Sequence, residues 1–290
     1  MLFDATEQLL NGVMYGFLYA LIGGGFTLIF GVMRRFNMAY GSTIMAASYV
    51  SLVPLYLFKG PFWLMVLVGI AAAILIGLLV EFCCFRFIRK GHELAPLMAT
   101  IGMLIVIDEA IVHATDAVGL KYPSPFGDIS LEVGRFLVRP DYVAVMVAGT
   151  LCFALLFLLI HKTRFGRAMR AVAERPEAAQ ILGVSLRRIN VLTFVLTSAM
   201  AGVIGFFTAV SVGSARPDLA VFVTGKGLVV MVLGGLGSLP GAIVGGILLG
   251  ILEFQATWFL GATYRDILAF LILFVILVFR PSGLLGARTT

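Results

Sequence analysis

Gly234-Gly235-Leu236-Gly237-Ser238-Leu239-Pro240-Gly241 interrupts an apolar segment covering 225–254, and its reading decides how many times this chain crosses a bilayer. Four glycines and a proline within eight residues do not continue a helix. The segment belongs to a chain of 290 residues that is 61% hydrophobic and 12% charged, with a mean hydropathy of +1.07. Soluble domains carry about 25% charged residues, so this is an integral membrane protein. Apolar runs near the ~20 residues that a spanning helix needs recur along the chain. The alternating strands of about ten residues that mark a transmembrane barrel are absent.

Working outward from the break, the next apolar run, 267–279, ends at Arg280-Pro281, with Arg288 beyond. Upstream, Arg34-Arg35 follow the run 9–31, Arg86, Arg89, Lys90 and His92 follow 62–85, and Lys162, Arg164, Arg167, Arg170, Arg187 and Arg188 separate 142–160 from 189–213. Basic residues collect on the cytoplasmic side of a membrane protein. Runs 43–58, 94–113 and 189–213 therefore lead outward, and 115–141 is the longest external loop. A single crossing by 225–254 would leave Arg280 outside. Two short helices running out-in-out, with the glycine break near the cytoplasm, restore the parity. The expectation is an all-α polytopic bundle of about eight transmembrane helices, one transmembrane domain over 1–290, with a glycine-broken hairpin at about 225–254. Its N-terminus lies outside and its C-terminus inside. Asp4 and Glu7 precede the first run without a basic stretch, which reads as a retained span rather than a signal peptide. Gly12 and Gly16, then Gly237, Gly241 and Gly245, then Gly246 and Gly250, keep the four-residue spacing that lets helices approach closely.

Several chemistries drop out. The net charge of +6 sits in short loops between spans, so topology explains it and nucleic acid does not. His92-Glu93 begins a zinc-site pattern whose second histidine position is Pro96. Gly225-Lys226-Gly227 lacks the spacing and the hydroxyl of an ATP-binding loop, and no Gly-x-Ser-x-Gly elbow occurs. Cys83, Cys84 and Cys152 have no ligand spacing. No catalytic, metal or cofactor site is expected on this chain.

Other residues remain candidates for transport. Phe36-Asn37-Met38-Ala39-Tyr40-Gly41-Ser42 mixes polar and small residues at membrane depth, so Asn37, Tyr40 and Ser42 either line a cavity or bond between helices. Gly234, Gly235, Gly237, Ser238 and Gly241 form a tight turn, a gating hinge, or both. Asp108 and Glu109, ionisable residues near the outer end of a span, read as pathway or proton-coupling groups or as wetted interface residues. Interfacial snorkelling accounts for Lys226 and Glu81; pairing of Lys226 or Glu253 between helices is the alternative.

The connector 162–188 contains Gly166-Arg167-Ala168-Met169-Arg170-Ala171 and then Glu174-Arg175-Pro176-Glu177-Ala178-Ala179-Gln180-Ile181-Leu182-Gly183. Pro176 starts a helix and Gly183 stops it. Two turns are too few to stand alone in water, and Ala178, Ala179, Ile181 and Leu182 give them an apolar surface. Glu174, Pro176, Ala178, Ala179, Ile181, Leu182 and Gly183 are therefore read as a docking element for another protein. Ser185 is placed to cap the next span.

The Gly-Arg-Ala-Met-Arg-Ala run, Leu233-Gly234-Gly235-Leu236-Gly237-Ser238-Leu239-Pro240-Gly241-Ala242 and Phe36-Asn37-Met38-Ala39-Tyr40-Gly41 together resemble the LivH-type permeases of bacterial ATP-binding-cassette importers for branched-chain amino acids. That resemblance implies a permease subunit in the inner membrane, with a periplasmic N-terminus and a cytoplasmic C-terminus. It implies a second, LivM-like permease, two cytoplasmic ATPase subunits that carry ATP and Mg, and a periplasmic binding protein that delivers branched-chain or other hydrophobic amino acids. The 174–183 helix would be the element that couples to the ATPase. A similar architecture serves importers of urea and short amides. A self-sufficient proton-coupled transporter using Asp108 or Glu109 is a further alternative.

Overall fold

Gly12, Gly16, Gly246 and Gly250 place two helix backbones in contact, and the rest of the bundle forms around that pair. The computed structural model describes residues 2–88, 94–125, 127, 131–133 and 136–286. The expected roles of Arg89, Lys90, His92, Glu93 and Arg288 fall outside the described residues. Helix α1 (Leu2–Met33) packs antiparallel to α11 (Leu239–Leu260) in the most extensive helix pair of the fold. A Cβ added to Gly16 would lie 2.7 Å from Ile247 Cα, and one on Gly250 would lie 2.4 Å from Gly12 O. The glycine spacing thus removes side chains where the backbones touch, the device by which membrane helices associate without a hydrophobic driving force. Gly16→Leu is expected to sharply reduce the yield of folded protein in detergent, because no rotamer avoids the α11 backbone. Gly225→Ala, at a position with open space, should leave it intact. Size-exclusion profiles after extraction measure both.

Between them the chain forms α2 (Ala39–Val50), α3 (Val53–Phe58), α4 (Phe62–Val80), α5 (Leu94–Thr115), α6 (Pro140–Lys162), α7 (Arg164–Glu174), α8 (Pro176–Ile181), α9 (Leu186–Val212) and α10 (Leu219–Gly234); α12 (Arg265–Phe279) follows α11. Helices α2 and α3 make one span, Ala39–Phe58, and a π-helical turn, Glu81–Phe85, extends α4. Among the described residues eight spans are long and apolar enough to cross a membrane, and α10 is a shorter apolar helix of 16 residues. The expected hairpin is α10–α11, and it is longer than the 225–254 that the sequence indicated. Lys226 and Glu253 mark interior positions of its arms rather than their ends, because the two charges pair inside the bundle.

The break lies at the same face as the Arg34 end of α1, with Gly31 Cα 3.3 Å from an ideal Cβ on Gly237. The C-terminal stretch reaches that face too: the N–H groups of Leu284 and Leu285 donate to Leu233 O (2.8 Å) and Gly234 O (3.0 Å). Arg34, Arg35, Arg86, the α6–α9 connector and Arg280 thus gather on one basic face. On the opposite face two small antiparallel ribbons add to the all-α bundle: β1 (Leu120–Lys121) pairs with β4 (Ser214–Ala215), and β2 (Leu131–Val133) pairs with β3 (Phe136–Val138). They satisfy backbone groups of a loop whose prolines and glycines preclude a helix.

Candidate functional site

On the basic face, α6 ends and the chain turns directly into α7. Thr163 caps that helix, its Oγ1 accepting the Gly166 N–H at 3.0 Å. Gly166 is small because an added Cβ would lie 2.2 Å from Ile160 O. Arg170 Nη1 donates to the same Ile160 carbonyl at 2.6 Å, occupying an acceptor that the end of α6 leaves free. Met169 and Val172 point into the core, and Arg34 Nη2 donates to Ala173 O at 3.4 Å. The conspicuous Gly-Arg-Ala-Met-Arg-Ala run therefore clamps α7 to α6 and α1. Its Arg170 bonds within the chain as well as marking a side.

Arg175 is extended (φ −142°, ψ 90°), and α8 begins at Pro176, where the fixed proline φ suits a first turn. Its stop is a Schellman motif: Gly183 N–H donates to Gln180 O at 3.0 Å and Val184 N–H to Ala179 O at 3.0 Å, with Gly183 at φ +84°. Ser185 then caps α9, accepting the Arg188 N–H at 3.4 Å. Six residues are thus held at both ends by local chemistry. Ala179, 3% exposed, faces inward and seats α8 within the chain, so it is not offered to a partner. Glu174, Pro176 and Ala178 are exposed. Ile181 and Leu182, 86% and 84% exposed, stand in solvent at the tip. Two adjacent large aliphatic side chains thus stand exposed at the end of a short helix that is held at both ends.

The glycine break is clamped. Gly235 (φ +105°) would place a Cβ 2.4 Å from Gly286 N, and Gly241 would place one 2.1 Å from Gly234 O. Ser238 caps α11, accepting the Gly241 N–H at 3.2 Å. These residues, with Gly237, serve close backbone crossing by the C-terminal stretch and α1, the tight-turn reading of the motif.

Residues 34–38 lead to α2 without helix, so α2 begins inside the bundle. Asn37 Oδ1 accepts the Ala39 N–H at 3.1 Å, and Thr100 Oγ1 of α5 accepts the Met38 N–H at 3.3 Å. Tyr40 fills the space over Gly25, stacks edge-on to Phe26, and donates its hydroxyl to Thr197 O at 3.1 Å. Asn37 and Tyr40 are both buried and bonded within the chain. Ser42 is fully buried too, its hydroxyl beside the Asp108 carboxylate of α5.

The pairing alternative for Lys226 and Glu253 holds, within a larger cluster whose other members the sequence did not indicate. Lys226 of α10 donates to Glu253 Oε1 of α11 and to Asp266 Oδ1 of α12 at 2.7 Å. Arg265 Nε and Tyr19 Oη donate to Glu253 Oε2, each at 2.7 Å, and Arg265 also bonds Tyr19. Two cations and two carboxylates balance, with the Glu253 side chain 1% exposed. Lys226 is therefore paired in the interior instead of snorkelling, and Glu81 is buried as well. The only sequence signal was the presence of both signs in neighbouring apolar helices, and nothing in linear spacing linked positions 226, 253, 265 and 19. No group of three or more histidine, cysteine, aspartate or glutamate side chains suited to a metal occurs among the described residues.

Comparison with known proteins fixes the family. The profile described as branched-chain amino acid transport system / permease component matches residues 8–277. The chain belongs to that family. It is similar to the high-affinity branched-chain amino acid transport system permease protein BraD of Pseudomonas aeruginosa, at 32% identity over 98% of this chain and 97% of that protein. Similarity to the permease protein LivH of Escherichia coli is also 32%, over 97% and 95% of the two chains. The ribose import permease protein RbsC of Bacillus subtilis is 29% identical over 57% of this chain. Among solved structures, PsaBC from Streptococcus pneumoniae in complex with Fab has the same fold, with a TM-score of 0.54, 13% identity and 95% of each chain covered.

Proposed function

We propose that this permease is the membrane subunit of an ATP-driven importer that carries branched-chain or other hydrophobic amino acids. The basic face is cytoplasmic by the bias of Arg and Lys toward that side, which puts the N-terminus in the periplasm and the C-terminus in the cytoplasm of a bacterial inner membrane. The observation that carries the mechanism is the exposure of Ile181 and Leu182 on a helix too short to be there for its own sake. We assign α8 to a groove on a cytoplasmic ATPase. Closure of two ATPase subunits, which hold ATP and Mg, pushes α8; Ala179, the Schellman stop and the α7 clamp pass that movement to α6, α9 and α1. The chain itself performs no chemistry in this scheme. A second, LivM-like permease completes the passage, and a periplasmic binding protein delivers and selects the substrate.

The names of the relatives that match over nearly the whole chain favour branched-chain substrates over urea or short amides. The test is to purify the assembled complex from membranes and measure the affinity of its binding protein for leucine, other amino acids and urea. Co-purification of an ATPase and preference for leucine-like ligands are expected. A binding protein selective for urea would overturn the substrate assignment, and a chain that purifies without any ATPase would overturn the partner assignment.

A further inference from the structure

After α12, helix α5 is the least enclosed span among the described residues. It packs on α2 and on the turn after α4, and its other side is open along Met98, Ile101, Gly102, Ile105, Val106 and Glu109. At 1.5 Å per residue, Asp108 and Glu109 stand about 10 Å of helix from the α5 terminus at Thr115. A carboxylate at the centre of a spanning helix costs about 2.5–3.5 kcal/mol against hydrocarbon. An open face that carries one at this depth suits water better than lipid.

The two carboxylates differ in how they are occupied. Glu109 has His113 one turn on, with Nε2 3.3 Å from Oε1. Asp108 sits at the seam with α2, and its Oδ1 is enclosed without a hydrogen bond. Ser42, fully buried, lies beside the Asp108 carboxylate and interacts with it through its hydroxyl. Ser42 belongs to the first turn of α2, where the amide dipoles favour negative charge. Asp108 thus has a neutral hydroxyl beside it and no cation paired with it among the described residues, and a half-buried carboxylate without a counter-charge is costly unless something completes it.

We propose that the open face of α5 lines the aqueous passage and that Asp108, backed by Ser42, receives the ammonium group of the amino acid in transit. This rests on the amino-acid permease reading given above. An ammonium group brings three donors and a positive charge, which matches a partly exposed carboxylate that no cation pairs among the described residues. Met98, Ile101, Ile105 and Val106, on the same face, offer the aliphatic side chain of a hydrophobic amino acid its contacts. One carboxylate and one hydroxyl make a weak station, as a passage that must release its cargo needs.

The experiment places a single reporter thiol, Ile105→Cys, in the full complex with Cys83→Ala, Cys84→Ala and Cys152→Ala. A charged, membrane-impermeant thiol reagent is expected to label it, and leucine to slow the labelling. Asp108→Asn should raise the leucine concentration for half protection about tenfold or more, the loss expected for a hydrogen bond to a charged group, and Asp108→Glu should recover part of it. Labelling only by a lipid-soluble reagent would mean that the face meets lipid and would overturn the proposal. Protection unchanged by Asp108→Asn would overturn the role of Asp108. Leucine uptake by the native complex in liposomes is measured in parallel. Its absence would overturn the amino-acid reading beneath the proposal, independently of whether α5 meets water.

Discussion

Leu182→Asp combined with Ile181→Asp is expected to abolish ATP-driven uptake while leaving the protein inserted, folded and normally stable. Each native side chain is more than four-fifths exposed, so replacing it removes no contact within the chain. Burying a leucine or isoleucine contributes about 1.5–3 kcal/mol, and an aspartate carried into the same groove adds an uncompensated charge. Together these weaken docking by at least about a hundredfold, since 1.4 kcal/mol is a factor of ten. Ala179→Asp makes an informative contrast. Its Cβ lies inside the chain, so that variant should lower thermal stability as well as uptake, through unseating of α8. Uptake and melting in detergent, measured on both variants, separate a surface used by a partner from a surface used by the fold. Normal uptake by the double variant would remove α8 from the mechanism.

Glu253→Leu is expected to be the most damaging single change in the bundle. It strips Lys226 and Arg265 of their shared carboxylate and Tyr19 of its acceptor, deep between α1, α10 and α11. Breaking a buried pair by removing one partner costs about 3–5 kcal/mol, because the remaining charge is left uncompensated. Adding Lys226→Met should recover much of that loss, since the charges of Arg265 and Asp266 still cancel in number and an apolar pair replaces an ionic one. Thermal unfolding of the single and double variants measures the coupling. A single variant as stable as the parent would show that the cluster bears no load. The same cluster anchors the last span. Helix α12 is otherwise the most exposed of the spans, and Lys226 and Glu253 hold its beginning through Asp266 and Arg265.

The elements that sequence reasoning recovered are those encoded locally. Pro176 and Gly183 bound α8 because a proline and a left-handed glycine each act within a turn. The break at Gly234–Gly241 followed from composition plus the parity of basic loops. Gly12, Gly16, Gly246 and Gly250 announced close packing by spacing alone, although the partner of each helix emerged only in three dimensions. What escaped was non-local. Lys226 and Glu253 resembled span ends because an isolated charge in an apolar run is usually interfacial, and only the pairing of α10 with α11 brings them together. Ala178 and Ala179 are indistinguishable in sequence, yet one faces solvent and the other the core. For Tyr40 and Asn37 the sequence left cavity lining and hydrogen bonding both open, and their hydrogen bonds are spent on holding α2 in place.

The central claim is that energy enters from another protein through α8. The most direct measurement is leucine uptake into liposomes carrying the full complex with its binding protein, compared with liposomes carrying this chain alone under a proton gradient. Uptake that requires ATP and the partner chains, and that stops in the Ile181→Asp/Leu182→Asp variant, is the predicted result. Leucine accumulation by the chain alone, driven by the proton gradient without ATP, would contradict it.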